Sequence, residues 1–424
     1  MLPLEFELET PLNIGLLHYS CPPVIGGVEE VLGQQAVMLD RFGQSISVLS
    51  GMGKHFHQNF PVQIEPLISS QNPSIKKKFS QWEKGNLAAF DRPTEQILRI
   101  LRNWSKNLDV ILAHNVLHMP FNLPLTLALR RLADSGQGPA LVSWAHDSPF
   151  FHASYPEYLD EPPWPVLREA HPNIHYVTIS NSRKKSFKEK IPGTDWKVIS
   201  NGIEPSRLFY LDPVSKRLSE QLDLFSRDLV VIQPARITPR KNIELSIHIV
   251  NGLKKMNLDV LLILTGAYDP HESRAPAYYR RLKYWINELG LTNNIALLAE
   301  LISDDQKNVA PDHAVVRDFY LMADLLLMTS KDEGFGLPLL EAGLLKLPIA
   351  CSDIPSFVEI GKDVCFFSLD DPPLATSGRI LEYLTQMKTH QMYRSVVANY
   401  VWDGVCRKQL LPFLREITAR DQST

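Results

Sequence analysis

The segment KDEGFGLPLLE, residues 331–341, carries residue types that suit the binding of an anion beside a sugar. It follows an apolar run and has the composition of a helix start. Gly334 and Gly336 allow backbone N–H groups to approach a diphosphate, and a helix N-terminus favours negative charge. Because carboxylates only accept hydrogen bonds, Glu333 is predicted to accept from a hexose hydroxyl and Glu341 from a ribose hydroxyl.

The same segment also has a purely structural interpretation. Acidic residues near the start of a helix stabilise it through the helix dipole. Two glutamates with seven residues between them also occur easily by chance. The glycines between the glutamates, and their place between an apolar strand and a helix, favour the anion site over an ordinary turn.

A pair of cations lies in the segment PARITPRKN, residues 234–242, which follows another apolar run. A diphosphate that leaves during bond cleavage gains negative charge, and fixed cations such as Arg236 and Lys241 stabilise that change. Basic side chains near a strand end are otherwise usually solvated. The segment alone therefore leaves both interpretations open.

Two segments in the first half of the chain also place polar groups after predicted strands. The loop PPVIGGV, residues 22–28, brings Gly26 and Gly27 to the start of a predicted helix. His146 follows an apolar strand, and His114 ends the strand before it. Each histidine is either a packing residue or a substrate contact.

The order of these segments resembles that of the retaining GT-B glycosyltransferases of family four, the glycosyl transferases group 1. Residues 333–341 are similar to the family's Glu-x7-Glu motif. Residues 235–242 are similar to its Gly-Arg-x4-Lys-Asn element, with Ala235 in place of the usual glycine. Residues 198–203 resemble the segment that closes the family's first domain. The resemblance covers the chain from Asn13 to the terminal helix.

This resemblance implies a set of site residues. The donor-binding positions that it implies are Gly26, Gly27, Arg236, Lys241, Glu333, Gly334, Phe335, Gly336, Leu337 and Glu341. The catalytic positions that it implies are His146, Arg236, Lys241 and Glu333. The two cations are expected on the diphosphate, and His146 is expected to hydrogen-bond the donor sugar.

The resemblance also implies a front-face displacement, in which the departing phosphate oxygen helps to deprotonate the acceptor on the same face of the sugar. Asp147 is therefore not expected to act as a nucleophile or general base. No cofactor is expected besides the nucleotide diphosphate sugar, which is the donor substrate. No metal is expected, and the chain contains no Asp-x-Asp triplet for the metal-dependent mode of diphosphate binding.

The composition is typical of a folded protein with more than one domain. A chain of 424 residues exceeds what one hydrophobic core supports, and 44% hydrophobic and 21% charged residues are ordinary for a globular protein. A formal net charge of -3 argues against nucleic acid as a partner. Four cysteines without metal-ligand spacing predict free thiols in a reducing compartment. With no secretory signal pattern at the N-terminus, the expected location is cytoplasmic.

Membrane association is left open by the sequence. No apolar run is long enough to cross a bilayer. The basic clusters at residues 76–78 and 183–190 either face solvent or contact an anionic membrane surface at the periphery. The oligomeric state is not predicted.

Short apolar runs alternate with amphipathic segments along the chain, which predicts an α/β protein with two doubly wound, Rossmann-like domains facing a central cleft, the GT-B architecture. The predicted parts are an acceptor-binding domain at 1–205, a nucleotide-sugar-binding domain at 206–389, and a helical tail at 390–424 that packs back on the first domain. Residues 59–84 give no clear prediction. The predicted strands are 13–18, 45–49, 109–114, 140–144, 176–180, 229–233, 260–265, 295–298, 325–328, 348–351 and 364–367.

These features together predict a hexosyltransferase that moves glucose or mannose to a hydroxyl acceptor. Residues 114–121 and 148–158 are similar to family members that glycosylate small phosphorylated acceptors, so a small phosphorylated or sugar acceptor is expected. A phosphorolytic enzyme of the trehalose phosphorylase type is one alternative, and a catalytically silent scaffold subunit is another. The order of the motifs argues against a nucleotide-sugar epimerase.

Overall fold

The structure is a computed structural model that describes residues 10–83, 86–136, 138–152, 154–266, 275–302 and 311–421. The chain divides into two compact units. Unit 1 comprises Met1–Ile203 and Tyr400–Thr424, and unit 2 comprises Glu204–Asn399. Each unit has its own sheet and its own hydrophobic core.

The described part of unit 1 is built on a parallel sheet with the order β3-β2-β1-β4-β5-β6-β7. Its central strands are almost wholly buried apolar runs, which is expected where helices cover both faces of a parallel sheet. The strands of unit 1 are β1 Asn13–His18, β2 Ser45–Ser50, β3 Val62–Ile64, β4 Val110–His114, β5 Ala140–Ala145, β6 Ile174–Thr178 and β7 Trp196–Val198.

The described part of unit 2 repeats this plan with a parallel sheet in the order β10-β9-β8-β11-β12-β13. Here too the strands are short, apolar and buried. The strands of unit 2 are β8 Leu229–Gln233, β9 Val260–Leu264, β10 Ile295–Leu297, β11 Leu325–Met328, β12 Ile349–Ser352 and β13 Cys365–Phe367.

Helices connect the strands and cover the sheets. Those of unit 1 are α1 Gly27–Arg41, α2 Pro73–Glu83, α3 Asp91–Trp104, α4 Leu123–Ala133 and α5 Asn181–Lys190. Those that follow as far as the end of unit 2 are α6 Pro205–Leu208, α7 Pro213–Gln221, α8 Ile243–Lys255, α9 Ala275–Glu288, α10 Leu298–Ile302, α11 His313–Met322, α12 Leu337–Leu344, α13 Pro355–Ile360, α14 Pro373–Gln386 and α15 Lys388–Tyr400. The chain then returns to unit 1 with α16 Trp402–Val405, a π-helical turn Cys406–Leu410 and α17 Leu411–Asp421.

Both sheets reverse their winding direction at one point. In unit 1 the reversal lies between β1 and β4, and in unit 2 it lies between β8 and β11. Loops that leave neighbouring strands on opposite faces open a crevice at the carboxyl ends of those strands, where doubly wound sheets bind ligands. The predicted fold class, two doubly wound Rossmann-like domains, is confirmed, and each domain has one such point.

The structure differs from the sequence prediction at weakly patterned segments. The short outer strands β3 and β7 were not predicted, and α2 lies in the segment that gave no clear prediction. Residues 206–227, predicted to be a connector, contain α7 and most of α6. The strand predicted at 176–180 is Ile174–Thr178, because the Ser180 hydroxyl accepts a hydrogen bond from the Arg183 N–H and caps α5 instead.

The predicted tail is divided between the two units at Tyr400, whereas the prediction treated 390–424 as one piece. Helix α15 stays with unit 2 because Asp324, which is fully buried, binds two of its side chains. Beyond α15, Trp402 is fully buried in unit 1, and its indole donates to Gln34 Oε1 at 2.8 Å. Residue Gly202 permits this packing, since a Cβ there would lie 2.3 Å from the Trp402 ring.

All four cysteines are buried and unpaired, in agreement with the predicted free thiols. In the described residues, no helix has both the length and the apolar character needed to cross a membrane.

The buried carboxylate of Asp324 generates a test of how unit 2 is stabilised. It accepts from Val230 N at 2.7 Å and lies 3.1 Å from His390 Nε2 and 3.4 Å from Arg394 Nη1. Removing one partner of a buried ion pair leaves the other uncompensated, so Asp324→Asn should lower the free energy of unfolding by about 2–4 kcal/mol. Chemical denaturation would measure this change. The control Asp259→Asn, at an exposed pair with Arg227, should cost less than about 1 kcal/mol, and an equal loss in both variants would contradict the account.

Candidate active site

Two segments meet at the carboxyl edge of the unit 2 sheet, one following β8 and one following β11. Lys241 from the first forms an ion pair with Glu333 from the second, through Nζ and Oε1. The two side chains are only 13% and 10% exposed. Ser330 Oγ donates to the same Oε1 at 2.7 Å, while Arg240 Nη1 lies 3.3 Å from Oε2. One carboxylate oxygen therefore has two donors, and the other has a half-exposed guanidinium.

Buried hydrogen bonds connect the segment after β8 with the segment after β11. Thr329 Oγ1 lies 3.1 Å from the Lys241 carbonyl oxygen, and it accepts from Gln233 Nε2 at 3.2 Å. Ser352 Oγ donates to the Ser330 carbonyl at 2.7 Å. Breaking any bond of this buried network would raise the free energy of the folded state. The network therefore fixes the backbone from which Lys241 and Glu333 project.

The glycine-rich turn leads from this ion pair into α12. Gly336 has φ +101°, and a Cβ there would also lie 2.9 Å from a ring carbon of Phe357, so the position requires glycine. Gly334 is exposed, with open space where a Cβ would lie. The side chains of Phe335 and Leu337 are also exposed. At Gly334 the backbone is thus open to a ligand, shortly before the start of α12.

The structure places the other predicted residues of unit 2 at separate positions on this edge. Glu341 is exposed on α12, and its Oε2 accepts from the Tyr320 hydroxyl at 2.8 Å. Arg236 is exposed and lies just beyond β8. Among the predicted residues of unit 2, it is Lys241 and Glu333 that the structure brings into direct contact. The ligand roles of these residues stay predictions.

At the carboxyl edge of the unit 1 sheet, three buried histidines end or follow neighbouring strands. His18 ends β1, His114 ends β4 and His146 follows β5. The His18 Nδ1–H donates to the His114 carbonyl at 2.6 Å, and His114 Nε2 donates to Gln35 Oε1 at 2.8 Å. The ring centroids of His114 and His146 are 5.9 Å apart.

Burial keeps these imidazoles neutral at pH 7. It lowers the pKa of His146 to about 4, with the charge of His18 as the second cause. Burial is also the main cause that lowers the pKa of His18, and it holds the pKa of His114 well below its ordinary value. The Nδ1 atom of His114 and Nε2 of His146 are buried and make no hydrogen bond to the described residues. A buried nitrogen without a partner costs free energy that a ligand hydroxyl would recover.

Asn115 positions the backbone beside His146. It adopts a left-handed conformation with φ 49°, and its Oδ1 accepts from the N–H groups of His146 and Asp147, each at 3.0 Å. The carboxylate of Asp147 lies 3.4 Å from Arg183 Nη2 and also accepts from the Ser148 N–H. Asp147 thus has partners within this loop, and the expectation that it is not a nucleophile stays a prediction.

The predicted glycines of unit 1 lie at the start of α1. Gly26 precedes the helix in an extended conformation and Gly27 is its first residue. The carboxylate of Glu29 lies against Gly26, and its Oε1 accepts from Ser20 Oγ at 2.5 Å. His18 Nε2 is 3.8 Å from the same oxygen. Diphosphate binding by the two glycines stays a prediction.

Sequence reasoning missed several polar residues of these two clusters. In unit 1 they are His18, Ser20, Glu29 and Gln35, and in unit 2 they are Arg240, Tyr320 and Ser330. Polar residues directly after the apolar runs of β1 and β11 were the available signal, because the carboxyl ends of those strands meet the reversal point. The residues Glu29, Gln35 and Tyr320 had no such signal, since each reaches its cluster from a helix.

The buried histidines generate a prediction on stability and pH. Burial also lowers the pKa of His118 to about 4. In the unfolded chain such a histidine binds a proton below about pH 6.5, but in the folded chain only near pH 4. Its contribution to the free energy of unfolding is therefore fully present above about pH 6.5 and is lost as the pH falls. Each histidine whose pKa is lowered to about 4 should remove about 2 kcal/mol of unfolding free energy between pH 7 and pH 5.

Chemical denaturation at pH 7 and pH 5 would measure this loss. Replacing His118 by Gln should make the loss smaller by about 2 kcal/mol, whereas His152→Gln, at an exposed site in unit 1, should leave it unchanged. If both variants show the same pH dependence of the unfolding free energy as the original chain, the loss does not come from His118.

Comparison with known proteins adds to this geometry. The model of the family described as "Glycosyltransferase Family 4" matches residues 25–207, and that of "Glycosyl transferases group 1" matches residues 214–365. The first match contains Gly26, Gly27 and His146, and the second contains Lys241 and Glu333. Together the matched residues make up most of the chain.

Two similar relatives are the mannosylglucosylglycerate synthases of Petrotoga mobilis and Thermotoga maritima, each 23% identical. The alignment with the first covers 82% of this chain and 83% of the relative, and that with the second covers 82% of each. Among solved structures, Anabaena Alr3699/HepE in complex with UDP and glucose aligns at 18% identity and a TM-score of 0.34, over 97% of this chain and 100% of that chain. On the family matches and the two doubly wound sheets, the chain belongs to the group 1 glycosyltransferases of family four.

Proposed function

We propose that the protein transfers a hexose, with mannose favoured over glucose, from a nucleotide diphosphate sugar to a hydroxyl of a small sugar-containing acceptor. The observation that carries this proposal is the paired Lys241 and Glu333, held at the reversal point of unit 2 within the matched family region. A cation for phosphate and a carboxylate for hydroxyls, side by side, suit a molecule that carries both groups.

The relatives support the choice of sugar and acceptor. Both are named mannosylglucosylglycerate synthase, and their alignments extend over about four fifths of this chain and of each relative. Removing the mannosyl group from the product so named leaves glucosylglycerate, which makes this compound the first acceptor to test. Its small size also suits the expectation of a small acceptor.

The proposed reaction proceeds with retention by front-face displacement. The bond between the anomeric carbon and the phosphate oxygen breaks, and a bond from the acceptor oxygen forms on the same face. The acceptor proton moves to the departing phosphate oxygen. Lys241 and Arg236 stabilise the charge that develops on the diphosphate, and Glu333 holds a hexose hydroxyl.

The neutral state of His146 suits a hydrogen-bonding role in this reaction. With the pKa of the imidazole lowered to about 4, its ring nitrogens carry one proton between them at pH 7. Its buried Nε2, which makes no hydrogen bond to the described residues, is proposed to bind a sugar hydroxyl without a positive charge on the ring. Glu341 and its partner Tyr320 are proposed to hold the ribose.

The test is turnover of GDP-mannose, UDP-glucose and ADP-glucose with glucosylglycerate as acceptor. We expect one donor to be used, with an α-linked product from an α-linked donor by NMR, and turnover that survives a chelator. Glu333→Ala and Lys241→Ala should each lower kcat/KM at least 100-fold, which corresponds to about 3 kcal/mol of transition-state stabilisation.

Two exposed residues of unit 2 provide matched controls. Glu382→Ala and Lys388→Ala remove the same side-chain types away from the cluster and should keep kcat/KM within twofold. An original chain that turns over no nucleotide sugar would contradict the proposal. Phosphate-dependent cleavage of a disaccharide without nucleotide would instead identify a phosphorylase.

A further inference from the structure

Tyr278 on α9 is a buried tyrosine whose hydroxyl group both accepts and donates a hydrogen bond. Its side chain packs in the core of unit 2, and the residue is only 4% exposed. The hydroxyl oxygen accepts from the Ile243 N–H at 2.9 Å, and the hydroxyl proton is donated to Glu244 Oε2. Burial is the main cause that raises the pKa of Tyr278, so the phenol keeps its proton.

The N–H group that Tyr278 binds lies two residues after Lys241. Ile243 is the first residue of α8, and the first N–H groups of a helix have no partner within it. The preceding residue, Asn242, has a side chain suited to capping, but among the described residues it makes no capping hydrogen bond. Tyr278, which reaches over from another helix, supplies the missing acceptor.

Residues 241–243 form a tight turn that is held from two sides. Asn242 has the left-handed φ of 49° and ψ of 46°. On one side Thr329 Oγ1 lies 3.1 Å from the Lys241 carbonyl oxygen and 3.0 Å from that of Asn242. On the other side Tyr278 binds the Ile243 N–H. A left-handed residue other than glycine persists when the surrounding structure fixes it, and these bonds provide that support.

This turn determines where the ammonium group of Lys241 lies. The side chain leaves the backbone at the start of the turn and reaches the carboxylate of Glu333. A rotation of the backbone at Asn242 would move the start of the side chain and hence the ammonium. Displacing a group that acts on a substrate by about 1 Å lowers the reaction rate strongly. The bond from Ile243 to Tyr278 therefore bears on Lys241 although the tyrosine does not contact it.

The carboxylate of Glu244 orients the tyrosine hydroxyl. Its Oε2 accepts the hydroxyl proton, which directs a lone pair of the phenol oxygen toward the Ile243 N–H. Its Oε1 pairs with Arg281 on α9. The glutamate side chain is 15% exposed and that of the arginine 60%, so the bond to Tyr278 is the better shielded of the two.

A purely structural explanation is that Tyr278 only fills space and stabilises the start of α8. The ring belongs to the hydrophobic core of unit 2, and a phenylalanine would fill the same space. Replacing Tyr278 by Phe thus removes the hydroxyl but keeps the ring. If stabilisation were the whole role, the loss of the hydroxyl would lower the free energy of unfolding, but its effect on turnover would not depend on Lys241.

We propose that Tyr278, oriented by Glu244, is a positioning residue for Lys241. Acting through the Ile243 N–H, it holds the 241–243 turn in the conformation from which the ammonium group reaches the donor diphosphate. The role assigned to Tyr278 rests on the proposed hexosyl transfer, in which Lys241 stabilises the charge on that diphosphate.

The first experiment compares Tyr278→Phe with Tyr284→Phe in the full-length protein. Tyr284 lies on the same helix and is 55% exposed, so the same atom is removed without loss of a buried bond. Tyr278→Phe should lower kcat/KM for the nucleotide sugar about tenfold, because the ammonium is displaced. The KM for the acceptor should stay within twofold. Tyr284→Phe should leave both constants within twofold of the original chain.

A double-mutant cycle separates positioning from stabilisation. The readout is the Kd of the nucleoside diphosphate of the donor that is used, measured by calorimetry. Tyr278→Phe should raise this Kd about tenfold in the original chain but less than twofold in Lys241→Ala, because the group that it positions is gone. The unfolding free energy, measured by chemical denaturation, should fall by the same amount in both backgrounds. Glu244→Gln keeps the hydroxyl and should show the same coupling to Lys241 with a smaller rise in Kd.

Two results would overturn the role of Tyr278 and leave the transferase intact. One is a rise in Kd that is equal in the original chain and in Lys241→Ala, and the other is a Kd and a kcat/KM that Tyr278→Phe does not change. If Tyr278→Phe does not fold, Glu244→Gln decides the question through the same cycle. Failure of the original chain to use any nucleotide sugar is a different result, which would remove the proposed function together with this role.

Discussion

The contact between Lys241 and Glu333 depends on one constraint, the strand order of the unit 2 sheet. The two residues are 92 positions apart in the chain, and they meet because β8 and β11 are neighbours whose carboxyl ends share an edge. A buried network around Thr329 then ties the two segments together. If β8 and β11 were not neighbours in the sheet, Lys241 and Glu333 would not meet.

Unit 1 also holds a glutamate at its reversal point, but with different neighbouring groups. In each unit a serine just beyond a strand at the reversal point donates to one oxygen of a glutamate, Ser20 to Glu29 and Ser330 to Glu333. The glutamate of unit 2 has Lys241 and Arg240 beside it, whereas that of unit 1 has the imidazole of His18, whose pKa is lowered by burial. The two glutamates therefore differ in the charge of their neighbours, with two cations in unit 2 and an uncharged ring in unit 1.

Much of the fold could be predicted because buried parallel strands leave a clear sequence signal. The predicted strand at 13–18 has the observed bounds, and that at 325–328 does as well. Strands β3 and β7 were missed because each has a polar residue at its centre and is largely unburied, so neither forms an apolar run. Strands β10 and β13 are equally short but apolar and mostly buried, and they were predicted. The division of the tail at Tyr400 was missed because it depends on Asp324, which binds α15 from 66 and 70 positions away.

The site was predictable only in part, for a related reason. Glu333 and Lys241 belong to motifs whose local spacing carries chemistry, and the structure brings them together. The contact of His18 with His114 joins residues 96 positions apart, and no local sequence pattern predicts it. Glu29 gave no signal because a glutamate in the first turn of a helix is ordinary, and its serine partner lies in the preceding loop.

The cluster of Lys241 and Glu333 is proposed to be the donor site of a glycosyltransferase, and a crystal structure of the protein with a bound nucleotide diphosphate sugar would show whether it is. We expect a diphosphate oxygen within hydrogen-bond distance of Lys241 Nζ and a hexose hydroxyl that donates to Glu333. A nucleotide sugar bound elsewhere, with Lys241 and Glu333 still paired only with protein groups, would contradict it.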